Sequence, residues 1–156
     1  MMTLEGFNDA LKIALDMLFY KDQYLIYNET NMHVSELSIS HKLGHYLVLL
    51  IDEYDVDCEY NRNLADPKTN EANHLIRPDI IVHKRGSNDD NFAIIEIKPW
   101  WNDDIGKDVK KLYEMTKQDG QFRYYFGFSI VINRNRDSII TKIIENGEII
   151  YDDIHI

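Results

Sequence analysis

The sequence contains little cysteine, proline or glycine, and no long hydrophobic run. Its 156 residues include one cysteine, three prolines and seven glycines. The single cysteine, Cys58, excludes an intramolecular disulfide, and no cluster of cysteine and histidine has zinc-site spacing. We therefore expect a reducing, cytoplasmic setting. The longest apolar stretches, such as residues 46–51, are too short to cross a bilayer, so we expect no membrane partner.

Positive charge is also scarce. Seventeen Lys and Arg residues stand against 27 Asp and Glu residues, which gives a formal net charge of −10. This balance weakens the expectation of nucleic-acid binding, because such binding gains affinity when basic side chains neutralise phosphates. A protein with a negative net charge can still carry a basic face on one side. The basic residues do cluster along the chain, at Lys84 and Arg85, at Lys107, Lys110 and Lys111, and at Arg123, Arg134 and Arg136.

The apolar fraction of 44% is enough for a packed interior, and the length predicts a single domain over residues 1–156. Periodicity predicts helices over residues 3–21, with Thr3 as N-cap, over 32–53 and over 103–117. Gly44 within the second helix indicates a close packing contact. Residues 62–77 have the composition of a loop. Strands are predicted over residues 55–61, 80–82, 92–97 and 122–132, and a hairpin over 138–151 around Asn146-Gly147.

This order of elements predicts an α/β fold. We expect a central mixed β-sheet flanked by α-helices, with an extra helix at the N-terminus and a β-hairpin at the C-terminus.

The most informative residues are Pro78-Asp79 and, seventeen positions after Asp79, the triplet Glu96-Ile97-Lys98. Strand alternation puts Glu96 and Lys98 on one face, with Ile97 pointing into the core. If the two strands pair antiparallel, Asp79 lies near Glu96. Paired carboxylates favour Mg²⁺, with Mn²⁺ as a substitute, because these hard cations prefer oxygen ligands. Lys98 is then placed to orient the attacking water or to stabilise charge on phosphorus.

These motifs and the element order over residues 32–132 resemble the PD-(D/E)XK superfamily of restriction-endonuclease-like nucleases, including small bacterial and phage members. The resemblance implies a restriction-endonuclease-like core in which Asp79 and Glu96 bind metal, the Ile97 carbonyl is a further ligand, and Lys98 assists the nucleophile. It also implies that an acidic residue on the helix before the first strand joins the site, and Glu36 is the best match. Homodimers are frequent in the superfamily. The sequence departs from many members at Pro99-Trp100-Trp101.

The resulting hypothesis is metal-dependent phosphodiester hydrolysis of nucleic acid, with DNA as the expected substrate. The alternative is a non-catalytic nucleic-acid- or protein-binding regulatory module on the same fold. Two tryptophans, Trp100 and Trp101, follow the motif. We expect them either to stack against bases or to anchor a core or an interface. Glu59 is a further candidate for the cleft. The expected substrate-binding residues are His83, Lys84, Arg85, Lys107, Lys110 and Lys111.

Overall fold

The computed structural model describes residues 2–30, 32–102 and 104–156. The helices are α1 (Leu4–Lys21), α2 (Gln23–Ile26), α3 (Glu36–Leu50) and α4 (Gly106–Thr116), with a 3₁₀ turn at Arg136–Ser138. The strands are β1 (Asp55–Cys58), β2 (Arg62–Asn63), β3 (Asp66–Pro67), β4 (Ile80–His83), β5 (Ala93–Pro99), β6 (Phe126–Ile132), β7 (Ile140–Glu145) and β8 (Glu148–Ile154).

A six-stranded mixed sheet forms the centre of the molecule, in the order β1-β4-β5-β6-β7-β8. Its β5–β6 pair is parallel, and the other neighbouring strands pair antiparallel. A parallel pair needs a crossover connection, and α4 provides it. The prediction of a mixed sheet flanked by helices, with a helix before it and a hairpin at its end, is confirmed.

The two faces of the sheet are covered by different helices. Ile80, Ile95 and Ile97 are fully buried and pack on the side of α1, α2 and α3. Ile81 and Ile94 are also fully buried and pack on the side of α4. Because side chains alternate along a strand, this division places Glu96 and Lys98 of β5 on the face that α4 covers.

Local hydrogen bonds explain where several elements begin. The Thr3 hydroxyl accepts a hydrogen bond from the Gly6 amide at 3.1 Å, which confirms the predicted N-cap of α1. Helix α3 begins at Glu36, later than predicted, because the Ser35 hydroxyl accepts from the Ser38 amide and caps it there. Strand β6 begins at Phe126 instead of residue 122 because Arg123 has a left-handed φ of 51°. Position 103, the predicted start of the third helix, lies outside the described residues.

The segment predicted as a loop over residues 62–77 is more ordered than its composition indicates. Strands β2 and β3 pair antiparallel there, and Thr69 and Leu75 form a β-bridge. Residues 61–77 therefore form an arm beside the main sheet, which we call the 61–77 arm. In the part of the chain that the structure describes, no helix is both long enough and apolar enough to span a membrane.

We predict that Gly44→Ala destabilises the fold, because α3 approaches β1 at this glycine. A Cβ at Gly44 would lie 2.4 Å from the Cys58 Sγ. Overpacking of this kind costs about 1–3 kcal/mol, against a gain of up to about 1 kcal/mol in helix propensity. Urea denaturation measures the net loss in the free energy of unfolding.

The matched controls are Gly106→Ala and the double variant Gly44→Ala/Cys58→Ala. A Cβ at Gly106 meets nothing within 4 Å, so that substitution should leave stability nearly unchanged. Removing the thiol should restore much of the stability lost on Gly44→Ala. A double variant as unstable as the sum of the single changes would refute the steric explanation.

Candidate active site

The pairing of β4 with β5 brings two acidic residues together at one end of the sheet. Ile80 pairs with Ile95, so Asp79 and Glu96 come next to each other just beyond the last paired residues. The Asp79 Oδ2 accepts a hydrogen bond from the Ile97 amide at 2.7 Å. The sequence predicts that these two carboxylates lie together, and the structure brings them together.

The backbone amide and carbonyl of Ile97 lie on the edge of β5 that faces Asp79. Its amide points towards Asp79, and in an extended strand the N–H and C=O of one residue point to the same edge. The Ile97 carbonyl is therefore directed towards the strand end where Asp79 and Glu96 meet. Its side chain is fully buried on the opposite face, as alternation requires.

Lys98 lies between two carboxylates from different helices. Its Nζ is 2.9 Å from the Glu36 Oε1 and 2.9 Å from the Asp108 Oδ2. Glu36 is the first residue of α3, where the helix dipole favours negative charge. The Asn102 side-chain amide donates to the other oxygen of Glu36 at 3.3 Å. Glu36, which the resemblance implies as a further acidic residue of the site, thus contacts Lys98.

Helix α4 contributes two side chains one turn apart, Asp108 and Lys111. Asp108 pairs with Lys98, and the Lys111 Nζ lies 2.7 Å from the Glu96 Oε2. Residues three apart on a helix share a face, and this face covers β5 where Glu96 and Lys98 project. Sequence reasoning missed Asp108. It carried no signal of its own, because an acidic residue in the first turn of a helix is ordinary.

The site holds more negative than positive charge. Four carboxylates, of Glu36, Asp79, Glu96 and Asp108, surround the two ammonium groups of Lys98 and Lys111. When all six groups are ionised, two negative charges remain. Glu96 is only 3% exposed and Asp79 only 8% exposed, so water screens this excess poorly.

The pKa values of the acids reflect this environment. Burial, with a contribution from Asp79, raises the pKa of Glu96 to about 8, although Lys111 opposes the shift. Burial likewise raises the pKa of Asp79 to about 6, against the hydrogen bond from Ile97. Burial lowers the pKa of Lys98, but its hydrogen bonds to Glu36 and Asp108 outweigh burial and hold that pKa above its usual range. Lys98 is therefore a permanent ammonium near neutral pH.

The donor set fits one hard divalent cation. The Glu96 Oε1 is buried and accepts no hydrogen bond from the described residues. Two carboxylates and one backbone carbonyl suit Mg²⁺, which typically binds one or two carboxylates and keeps several waters. A divalent charge would also balance the two excess negative charges. Across residues 2–30, 32–102 and 104–156, no group of three or more His, Cys, Asp and Glu side chains is arranged to hold a metal.

The expected substrate-binding residues divide into two groups. Lys107, Lys110 and Lys111 line one cavity on α4, of about 260 Å³, and Lys111 reaches Glu96. The other group lies at the opposite end of β4. There His83 is 4% exposed and binds Asp57 at 2.8 Å, and Arg85 pairs with Asp55 and Asp57.

These opposite-end contacts form a separate polar cluster on β1 and β4. Lys84 belongs to the same end, since its side chain donates to the Glu53 carbonyl. The structure does not bring His83, Lys84 or Arg85 to the carboxylates. These residues lie too far from Asp79 along the chain of β4, because each residue of a strand advances about 3.3 Å.

The remaining candidates make structural contacts. The Trp100 indole donates to the Ile26 carbonyl at 3.0 Å, and the Arg134 guanidinium lies 4.0 Å from its ring centroid. The Trp101 ring is stacked against His33, with centroids 4.4 Å apart. Glu59 pairs with Arg77 at 3.0 Å. Trp100 thus anchors the last residue of α2, and His33 covers one face of the Trp101 ring.

Comparisons of the chain with protein-family models, with curated proteins and with solved structures give no significant match.

We predict that Glu96→Gln stabilises the chelator-treated protein at alkaline pH. The pKa of Glu96 is raised from 4.5 to about 8, so the protonated carboxyl is favoured in the folded chain. This contribution is fully present below the unfolded pKa and is lost as pH rises through the folded pKa. The thermal midpoint of the variant should match wild type near pH 4.5 and exceed it above pH 8 by about 2–4 °C or more.

The control is Glu148→Gln, which removes an exposed carboxylate of β8 and should show no such pH-dependent gain. If Glu96→Gln is instead less stable than wild type above pH 8, the Lys111 ion pair would outweigh burial. The excess negative charge of the site would then not destabilise the folded protein.

Proposed function

We propose that this chain is a metal-dependent phosphodiesterase acting on nucleic acid, with DNA as the expected substrate, on a restriction-endonuclease-like core. The observation that carries the proposal is the pair of buried carboxyl groups of Asp79 and Glu96 at the end of two paired strands, with the half-buried Lys98 on the same face of β5. The order α3, β1, β4, β5, α4, β6 also agrees with the core implied by the PD-(D/E)XK resemblance.

Asp79, Glu96 and the Ile97 carbonyl would hold Mg²⁺ or Mn²⁺. When bound, such a cation polarises a phosphoryl oxygen and lowers the pKa of a coordinated water. The chain orients these ligands before any metal arrives. The Ile97 amide fixes one oxygen of Asp79, and Lys111 fixes one oxygen of Glu96, which leaves the Glu96 Oε1 free to bind.

Lys98 would act as a fixed positive charge and hydrogen-bond donor. Since it stays protonated, it cannot accept the proton of the attacking water, and its role is to orient that water or to stabilise charge on the phosphate. Glu36 holds Lys98 on one side and is partly exposed, with 27% of its side chain accessible. Glu36 is therefore placed to assist with the metal or to accept a proton from a solvent-derived water.

Lys111 would contact the substrate from α4. Its ammonium pairs with Glu96 while also lining the cavity formed with Lys107 and Lys110. Lys111 would be placed to donate to a phosphate oxygen next to the reacting bond when it leaves this ion pair.

One observation favours a non-catalytic binding module as the second candidate. Lys98 and Lys111 are already paired with acidic side chains, and the chain carries a net charge of −10. A regulatory protein that uses these ion pairs only for structure would keep the same contacts. The two functions differ in whether the site binds metal and cleaves a phosphodiester.

We predict metal-dependent cleavage that requires the site. Single-stranded, duplex and branched DNA, together with RNA, are incubated with Mg²⁺ or Mn²⁺. Asp79→Asn, Glu96→Gln and Lys98→Met should each lower the cleavage rate at least about 100-fold, because each removes a metal ligand or a charge that stabilises the transition state.

Glu148→Gln and Lys12→Gln serve as matched controls, since each removes one exposed charge away from the site. Their cleavage rates should equal that of wild type. No cleavage of any substrate by wild type, or equal cleavage by wild type and the site variants, would contradict the enzyme and favour the binding module.

We also predict that metal binding releases protons. Asp79 and Glu96, with pKa values of about 6 and about 8, must both ionise to bind the cation. Calorimetric affinity for Mn²⁺ should therefore rise between pH 6 and 8, by roughly tenfold per unit for each proton displaced. Titrations in buffers of different ionisation enthalpy count these protons, and an affinity independent of pH would contradict the assignment of ligands.

A further inference from the structure

A groove lies between the 61–77 arm and α4. One cavity, of about 300 Å³, is lined by Asn61, Arg62, Pro67, Leu75, Ile76 and Arg77. The second, of about 260 Å³, is lined by Asn70, Ile76, Lys107, Lys110, Lys111 and Glu114. Ile76 lines both cavities, which we together call the groove, and Lys111 in the lining of the second pairs with Glu96.

The groove gathers positive charge in a protein that is otherwise acidic. Among the described residues, Arg62 and Lys110 face it without an ion-pair partner. Arg77 pairs with Glu59, and Lys107 pairs with Asp104, but these pairs are largely exposed and therefore weak. Glu114 is the one acidic residue in the lining, and its carboxylate accepts from the Glu71 amide of the arm.

The arm that forms one wall is firmly held. Lys68, only 3% exposed, donates to the Tyr124 hydroxyl at 2.8 Å, and its ammonium lies 5.2–5.7 Å from the ring centroids of Tyr60, Phe122 and Tyr124. Such cation–π contacts strengthen when they are desolvated. Within the arm, the Lys68 amide donates to the Asn61 carbonyl and the Lys68 carbonyl accepts from the Ile76 amide, so Lys68 links the arm internally as well as to Tyr124.

The tip of the arm closes one end of the groove. The Glu71 amide reaches Glu114 on α4, and Lys117 pairs with the Glu71 carboxylate at 3.2 Å. The groove is therefore bounded by the arm, by α4 and by this contact between them. A cavity of about 260 Å³ under such a bridge is small compared with a nucleic-acid duplex.

We propose that this groove binds the phosphate backbone of a single nucleic-acid strand and leads it to the carboxylates of Asp79 and Glu96. The proposal rests on the proposed nuclease function and specifies its substrate as an unpaired strand or an end. Arg62 and Lys110 contact phosphates directly, and Arg77 and Lys107 exchange their exposed carboxylate partners for phosphates.

The test is the binding of labelled single-stranded and duplex DNA of equal length by fluorescence anisotropy, in chelator, over a series of salt concentrations. The variant Arg62→Gln/Lys110→Gln is compared with Lys12→Gln/Lys21→Gln. The control removes two positive charges from α1, which covers the opposite face of the sheet.

Wild type should bind the single strand more tightly than the duplex. The groove variant should bind the single strand at least about tenfold more weakly, and the slope of log affinity against log salt should fall by roughly 0.7 for each phosphate that is no longer neutralised. The control should retain wild-type affinity and slope. Equal weakening by the control, an unchanged slope, or tighter binding of duplex would overturn the groove.

Cleavage assays with the same variants separate this proposal from the proposed function. Groove-dependent binding without metal-dependent cleavage would refute the nuclease but retain the groove. If Arg62→Gln/Lys110→Gln cleaves single strands at the wild-type rate, the groove proposal is refuted and the nuclease proposal stands.

Discussion

The carboxylate of Glu96 is almost completely removed from water and is only partly neutralised by Lys111. The rest of the site is arranged around that charge. Asp79 lies beside it and adds to its pKa shift, and Asp108 on α4 adds more negative charge. A fold selected for stability alone would be expected to replace such a group with an apolar residue. A cation bound there would offset the cost of burying this carboxylate.

The sheet and α4 together fix this arrangement. Antiparallel pairing of β4 with β5 sets Asp79 against Glu96, while parallel pairing of β5 with β6 requires a crossover helix on one face. That helix is α4, which brings Asp108 and Lys111 over the end of β5. The parallel connection therefore contributes a side chain to two of the three ion pairs of the site and forms one wall of the groove. The crossover that the sheet requires therefore also places side chains of the site.

The sequence predicts the main sheet and the closeness of Asp79 and Glu96, because strand periodicity and turn composition are local signals. It could not predict Asp108, whose role depends on how α4 packs against β5. It also placed His83 and Arg85 in the site on the basis of nearness along the chain. Composition predicts a loop over residues 62–77, whereas the order of this segment comes from contacts with the distant Tyr124 and with α4.

The most direct test of the central claim is anomalous diffraction from crystals of this chain soaked in Mn²⁺. We predict one anomalous peak between Asp79 and Glu96, at about 2.0–2.4 Å from an oxygen of each carboxylate and near the Ile97 carbonyl. We also expect the Lys111 ammonium to move away from Glu96. The absence of a peak there, with the Glu96–Lys111 ion pair intact at saturating Mn²⁺, would contradict a metal site at these carboxylates.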